Sequence, residues 1–188
     1  MTHPATTRTA DPVRPGDWVA DPAACTLTFA VRNFGLRTVT GQIPLTSAVV
    51  RVGPGGQPEY VRAELDPGRI DTGNRRRDKD LRGRRFLATG RWPAITFEAS
   101  HIQPAGTGWT INGTLTVKEA RCPVRLQVAG PASPAGPDHV DLHATGRIDR
   151  RAAGVTAAPG LLIGHQISLS LAVRLLPPAR QLSMDPDL

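Results

Sequence analysis

The chain has 188 residues, a length that suits one domain with a hydrophobic core. Hydrophobic residues make up 39% of it, and no apolar run approaches the roughly 18 residues of a membrane span, so wholesale disorder and a spanning helix are both excluded. The net charge is +7, and 19 glycines with 18 prolines leave little room for long helices, which favours a fold of many short strands.

The two ends of the chain lack the pattern of a folded element. Residues 1–16 contain no apolar stretch of the kind that a signal peptide requires, so we predict a disordered tail there and a cytoplasmic location. Residues 177–188 are interpreted as a second tail. The sequence therefore predicts one domain over residues 17–176.

Apolar and polar residues alternate with a period of two, which predicts about eight strands. The alternating stretches lie at 27–31, 39–45 with its continuation at 48–52, 61–65, 95–99, 109–117, 124–128, 140–148 and 167–175. The glycine-rich stretch 53–56 is interpreted as a hairpin turn, since no helix follows it to hold a phosphate. Strands of this number and length indicate an all-β antiparallel sandwich or barrel.

Residues 74–86 break this period. Leu81 and Phe86 provide the apolar side of a helix, Asn74 is a suitable N-cap and Gly83 a suitable end, so the stretch predicts one short helix. Residues 69–91 hold eight arginines and one lysine against three aspartates, which places +6 of the net +7 in one segment. Because the charge is confined to that segment and the chain has only 4 Phe, 3 Trp and 1 Tyr for base stacking, we expect no nucleic-acid partner.

The residue types of a catalytic or metal site do not come together in the sequence. His139 and His143 have the spacing of zinc ligands on a helix, but their surroundings alternate as a strand, on which four residues span roughly 13 Å. We interpret them as part of a solvent-facing stripe. Cys25 and Cys122 are too few for a disulfide framework or a thiolate site. We therefore expect no catalytic residue, no metal ligand and no enzymatic activity.

Small residues interrupt the apolar faces of the predicted strands, at Gly41, Ala63, Gly113, Ala144 and Gly146. One interpretation is that the glycines mark bends or bulges at barrel corners. The other is that small residues leave the interior hollow, since an eight-stranded barrel is just wide enough either to fill itself or to hold one small ligand. A ligand in such an apolar interior would be an aliphatic chain.

Several motifs resemble those of the YceI-like family of lipid-binding proteins, from about Trp18 to Leu176. The matching segments are Asp21-Pro22, Phe29–Val31, Phe34-Gly35, Val39–Gly41, Ile70–Asn74, Arg77-Asp78, Leu81-Arg82, Phe86-Leu87, Trp92–Phe97, Gly113–Val117, Pro123-Val124 and Arg150–Gly154. The chain departs from the family at polar positions. Ala24-Cys25 stands in place of a histidine–serine pair, Asn33 and Asp80 in place of histidines, and Lys118-Glu119 in place of His-Gly.

The resemblance implies an extended eight-stranded antiparallel lipocalin-like β-barrel with one short capping helix. It also implies binding, sequestration or transport of a long-chain amphiphile, above all a polyisoprenoid such as a prenyl quinone or prenyl pyrophosphate, with no cofactor. The inward-facing positions of the strands and the apolar side of the helix predict which side chains bind the ligand. They are Phe29, Val31, Val39, Ile43, Val61, Ala63, Leu65, Leu81, Phe86, Trp92, Phe97, Leu115, Val117, Leu126, Ile148 and Leu169.

The basic segment allows two interpretations. Arg75, Arg76 and Arg77 are head-group candidates, because guanidinium groups pair well with phosphate. Arg77 and Asp78 could instead form a structural ion pair that holds the helix on the barrel.

A second hypothesis of function also stays open. In it the barrel is filled by side chains, and the protein is a non-catalytic interaction module that docks through residues 69–91 on a partner or an anionic membrane surface. We expect no stable membrane insertion under either hypothesis, and we consider a homodimer as the assembly.

Overall fold

The computed structural model describes residues 13–33, 37–130, 138–157 and 163–178. The strands within these ranges are β1 Gly16–Ala20, β2 Thr26–Asn33, β3 Arg37–Gln42, β4 Leu45–Val52, β5 Pro58–Leu65, β6 Ile95–Ala105, β7 Gly108–Val117, β8 Ala120–Ala129, β9 Val140–Asp149 and β10 Ile163–Leu176. The α-helix α1 spans Arg75–Arg82, and short 3-10 helices span Pro22–Ala24 and Pro67–Arg69.

Eight strands form a closed antiparallel ring. The strands β1, β4, β5, β6, β7, β8, β9 and β10 are hydrogen-bonded in that order, and β10 pairs with β1 at Val19–Leu176 and Ala20–Leu175 to close the ring. The predicted antiparallel barrel with one helix is therefore confirmed. The sequence pattern missed β1, because Gly16–Ala20 is too short to show a clear alternation.

The remaining two strands extend the barrel at one end. A 3-10 turn at Pro22–Ala24 separates β1 from β2, and β2 continues along β10 while pairing with β3. Ile43 and Pro44 separate β3 from β4, so the predicted strand 39–45 is broken there. Pro44 cannot donate to a strand ladder, which accounts for the break.

The interior follows from side-chain alternation. In β8, every second residue from Cys122 to Val128 is buried, and those between are exposed. In β9, Val140, Ala144 and Ile148 are buried on the same side of their strand. Because a shift of one residue would turn a whole strand inside out, this alternation fixes the register of the barrel.

Helix α1 has the predicted ends. The Asn74 side chain accepts a hydrogen bond from the Arg77 N–H at 3.1 Å, and Gly83 is the C-terminal cap, donating its N–H to the Asp80 carbonyl. Two backbone hydrogen bonds between Gln42 and Asp71 attach the segment before the helix to the end of β3. The helix is thereby held against the extended end of the barrel.

Strand β1 begins one residue before the predicted domain boundary at residue 17. Gly16 belongs to β1, and Val13 packs against the core. Most of the two predicted tails, at 1–12 and 179–188, lies outside the described residues, as do Phe34 and Gly35 of the family resemblance. Within the described ranges, no helix has both the length and the hydropathy to cross a membrane.

Candidate functional site

The barrel interior contains two apolar cavities that follow one another along the strands. The first has a volume of about 190 Å³ and the second about 150 Å³. On β10, Ile163, Ile167 and Leu169 line the first cavity, whereas Leu171, Val173 and Leu175 line the second. Two apolar spaces therefore follow one another along β10 inside the barrel.

Strand residues and the helical segment together line the first cavity. Its wall includes Leu65 and Leu115 from the closed ring, and Phe29 from the extension. Leu81 of α1 and Phe86 after it cover one side. The second cavity is lined by strands of the ring, including Trp18 of β1, and by Val13.

The predicted ligand-binding residues divide between the two cavities. The first is lined by Phe29, Val31, Val39, Ile43, Leu65, Leu81, Phe86, Leu115, Val117, Ile148 and Leu169, and the second by Val61, Ala63, Phe97 and Leu126. The structure thus brings these side chains to the interior, and their contact with a ligand stays a prediction.

Trp92 lies elsewhere. It borders an outer groove with Arg82, Arg84 and Lys118, and its ring centre is 5.2 Å from the guanidinium carbon of Arg91. The chain turns after the helix, where Ala88 has a positive φ of 50°. Its carbonyl accepts a hydrogen bond from the backbone N–H of Trp92. This turn directs the indole away from the barrel interior, so its predicted place on the cavity wall is wrong.

The three head-group candidates occupy different positions. Arg75 and Arg76 are exposed on the outer side of α1, whereas Arg77 lines the first cavity. The Arg77 guanidinium donates to the Thr72 hydroxyl and to the Thr72 carbonyl, both at 2.8 Å. Only Arg77 of the three therefore borders the space that a ligand could occupy.

Asp78 is buried beside it, with 7% of its surface exposed. Its carboxylate accepts hydrogen bonds from the backbone N–H and the hydroxyl of Thr72. The suggested ion pair between Arg77 and Asp78 is therefore replaced by a shared partner, since both side chains bind Thr72. The pair still holds α1 on the barrel, through hydrogen bonds to one residue.

Arg150 is a polar wall residue that was not predicted. It is 3% exposed, lines the first cavity, and donates to the carbonyls of Val155, Ile163 and Gly164 at 2.8 to 3.1 Å. Strand parity could have located it, because Arg150 follows the inward-facing Ile148 by two residues.

The two cavities differ in polarity. The first is bordered by Asn33, Thr72, Arg77 and Arg150 among its apolar residues, whereas the second is lined by apolar side chains and Gly56. The interior can therefore accommodate a polar group at the first cavity and only an apolar group at the second.

The strand glycines give room to neighbouring side chains. A Cβ at Gly113 would lie 2.5 Å from the Phe97 ring, and a Cβ at Gly146 would lie 2.7 Å from Leu126. The alanines behave differently, since Ala63 and Ala144 line the second cavity. The two alanines therefore leave space at the second cavity, while the glycines accommodate rings and branched side chains.

The outer surface carries the histidine stripe. His143 is exposed, with its Nε2 3.1 Å from the Ser170 hydroxyl, and His139 is 3.7 Å from the Asp141 carboxylate. Arg174 donates to both oxygens of Asp141 and holds the pKa of that carboxyl below its usual value. The prediction of a solvent-facing stripe is confirmed, and this stripe borders neither barrel cavity.

The described residues do not favour a metal site or a reactive thiol. Among the described residues, no three His, Cys, Asp or Glu side chains are placed to hold a metal ion. Cys25 and Cys122 are free thiols, and burial raises the pKa of both. Cys122, which is 2% exposed, behaves as a small apolar core residue.

The structure thus belongs to the class of closed eight-stranded antiparallel β-barrels, with an apolar interior and a helix against one end. Within that class, the YceI-like domain model matches residues 18–175. The chain belongs to the YceI-like family, as its motifs predicted.

Curated relatives and solved structures show further similarities. A UPF0312 protein of Yersinia pestis (strain Pestoides F) is 33% identical over 69 residues, which make up 37% of this chain and 36% of the relative. The matched region is thus about a third of the length of these curated relatives.

Among solved structures, BcnA of Burkholderia cenocepacia is similar with a TM-score of 0.70 and 18% identity, covering 82% of this chain and 98% of that one. A polyisoprenoid binding domain from Saccharophagus degradans, implicated in plant cell wall breakdown, is similar with a TM-score of 0.63 and 14% identity. That match covers 86% of this chain and 98% of the other. At these identities the solved structures establish the fold.

Proposed function

We propose that this protein binds a long-chain amphiphile inside its barrel, with a polyisoprenoid as the ligand class, and sequesters or carries it. The observation that carries the proposal is the pair of apolar cavities, of about 190 and 150 Å³, aligned along the strands. Together they reach the lower end of the roughly 300–1,000 Å³ that is usual for small-molecule sites. The similarity to a polyisoprenoid binding domain supports the same class.

The apolar wall provides enough free energy for such a ligand. Each buried methylene contributes roughly 0.8 kcal/mol, so a five-carbon isoprene unit contributes at most about 4 kcal/mol before ordering costs. Micromolar affinity requires about 8 kcal/mol, which a few units supply. Binding therefore needs no specific polar contact along the chain.

The polar residues orient the ligand. The chain would extend into the second cavity, and the head group would remain beside Arg77 and Arg150 at the first. The Arg77 guanidinium uses its Nε and one terminal nitrogen on Thr72, and its other terminal nitrogen can donate to a quinone oxygen or a phosphate. Arg75 and Arg76 would not contact this head group, because they lie on the outer side of α1.

The hollow interior weighs against the alternative of a barrel filled by side chains, because both cavities lie within its walls. The protein would act by binding and not by catalysis. A cytoplasmic location and a homodimer stay predictions, which cell fractionation and light scattering would test.

The decisive experiment is organic extraction of the purified protein followed by mass spectrometry. We expect a long-chain lipid, near one per barrel, with masses that differ by an isoprene unit if several chain lengths are bound. An unrelated barrel protein purified from the same cells is the control for carried-over membrane lipid. Extracts that match that control, together with failure of added prenyl quinone or prenyl pyrophosphate to bind the stripped protein, would overturn the proposal.

A further inference from the structure

The segment from Arg75 to Arg85 has two chemically different sides. Leu81 of α1 faces the first cavity. The opposite side is an outer basic face, made of the exposed side chains of Arg75, Arg76, Lys79, Arg84 and Arg85. The wall that closes the cavity therefore also carries a concentrated positive charge to the surface.

The charge of this outer basic face is not neutralised within the described part of the chain. Its five side chains form no ion pair there, whereas Arg51, Arg151 and Arg174 elsewhere on the barrel each pair with an aspartate. Of the acidic residues on α1, Asp80 is exposed but Asp78 is buried and bound to Thr72. The outer basic face thus presents unpaired cations to an external anionic partner.

We infer that the outer basic face docks the barrel on an anionic phospholipid bilayer, with the covered side of the first cavity towards the membrane. This inference rests on the proposed function, since a ligand too apolar for water must be taken up from and returned to a bilayer. A short distance between the cavity wall and the lipid surface would serve both steps. The orientation follows because Leu81 and three of the basic residues, Arg75, Arg76 and Lys79, belong to the same helix.

The composition of the face favours phospholipid over nucleic acid. Single-stranded nucleic acids bind best where aromatic rings stack on bases between the cations. In the described segment, Phe86 lines the cavity, and Trp92 lies in the outer groove near Arg84 with its ring against Arg91. Helix α1 itself has no aromatic residue between Arg75, Arg76 and Lys79. A flat array of anionic head groups requires only the charges.

The size of the effect can be estimated. Each lysine or arginine near an anionic membrane strengthens binding about fivefold, so the removal of three should weaken it on the order of 100-fold. Screening by salt should weaken the binding of the unmodified protein as well, because the charges are exposed.

The test is co-sedimentation of the full chain with vesicles of phosphatidylcholine containing about 30% phosphatidylserine, in about 0.1 M salt. We expect binding to these vesicles and little binding to phosphatidylcholine alone. The triple variant R75Q/R76Q/K79Q should lose binding by about 100-fold. The matched control R62Q/R125Q/R147Q removes the same charge from exposed positions on strands of the barrel wall, and should bind within about threefold of the parent.

Equal losses in the two triple variants would overturn the inference, since they would show an effect of net charge alone. Absence of binding to the anionic vesicles would overturn it too. Tighter binding of a single-stranded RNA, lost in the same R75Q/R76Q/K79Q variant and competing with vesicles, would assign the face to nucleic acid instead.

Ligand extraction is scored separately for the parent and the R75Q/R76Q/K79Q variant. If docking is wrong, the protein carries its lipid but ignores vesicles. If the proposed function is wrong, no lipid is extracted or taken up, whatever the vesicles show.

Discussion

Phe29 and Gly41 face each other across β2 and β3, and the Phe29 ring occupies the space that a side chain at Gly41 would need. A Cβ at Gly41 would lie 2.5 Å from the ring carbon Cζ and 2.8 Å from the Thr72 methyl group. Gly41 therefore lets one wall residue of the first cavity lie flat against the strand. Gly41 also lies beside Thr72, the residue that binds Asp78.

We predict that Gly41→Ala lowers the free energy of unfolding by about 1–3 kcal/mol, the usual cost of overpacking a core. Urea unfolding measures it. Gly55→Ala is the matched control, because a Cβ at Gly55 meets no atom within 4 Å. In the F29L background, where the ring is absent, G41A should lower the free energy of unfolding by less than it does in the parent. An equal effect of G41A in the two backgrounds would contradict the contact.

The hollow second cavity makes Ala63 a site where a ring can be inserted. Ala63→Phe should change stability by less than about 1 kcal/mol, because a cavity near 150 Å³ can hold a benzene ring. The ring would fill ligand space, so we expect the amount of extracted lipid to fall sharply. Thermal unfolding and lipid extraction are measured together.

Ala172→Phe is the control for this variant, since Ala172 is exposed on β10 and should leave lipid binding unchanged. A large drop in the unfolding midpoint of A63F, with no lipid in the parent protein, would end the carrier hypothesis.

The buried Asp78 carboxylate should hold α1 in place. Asp78→Ala leaves the Thr72 donors without their acceptor, which we expect to cost about 1–3 kcal/mol. Hydrogen exchange should accelerate over residues 74–90 before the strands are affected, because the helix loses its attachment. Asp80→Ala, on the exposed side of the same helix, is the control. Uniform acceleration across the barrel would show that Asp78 supports the whole fold and not the helix.

Arg150 should be more important for stability than its neighbour Arg151. Arg150→Met leaves three carbonyl groups without their guanidinium donor, for which we expect a loss of about 3 kcal/mol or more. Arg151→Met removes an exposed pair with Asp149, and such surface pairs contribute about 0–1 kcal/mol. Chemical unfolding of the two variants tests the difference, and similar losses would contradict it.

The pair of Asp149 and Arg151 gives a pH dependence. Hydrogen bonds from the Arg151 side chain and backbone lower the pKa of Asp149 from 3.8 to about 2. Because the folded-state pKa lies below the unfolded one, the pair stabilises the fold above about pH 4, and this contribution is lost as the pH falls towards 2. The urea midpoints of the parent and Asp149→Asn should therefore differ slightly at about pH 5 and converge near pH 2. A constant difference would contradict this assignment.

Local pattern was sufficient to predict the fold class and most of the elements. The alternation at 109–117 and 124–128 predicted β7 and β8, and Asn74 and Gly83 predicted both ends of α1. These features depend on neighbours in the chain, since side-chain period and capping act over a few residues. The family resemblance then specified a barrel where the pattern alone left a sandwich open.

The tertiary structure decided which residues share a cavity. Trp92 is close in sequence to the apolar motif Ile95–Phe97, but the turn at Ala88 places its ring in a groove outside the barrel. Arg77 and Asp78 are adjacent with opposite charges, but both bind Thr72, because its carbonyl and hydroxyl lie within reach once Asp71 is attached to Gln42.

The same division explains the hollow interior. The sequence by itself determined which side chains face inward, because alternation assigns each strand one buried side. It could not determine whether those side chains fill the space, because packing depends on the barrel width and on contacts between residues distant in the chain. The closed ring decided this: ring side chains lie against the strand glycines, Ala63 and Ala144 leave space at the second cavity, and two cavities remain between the inward-facing side chains.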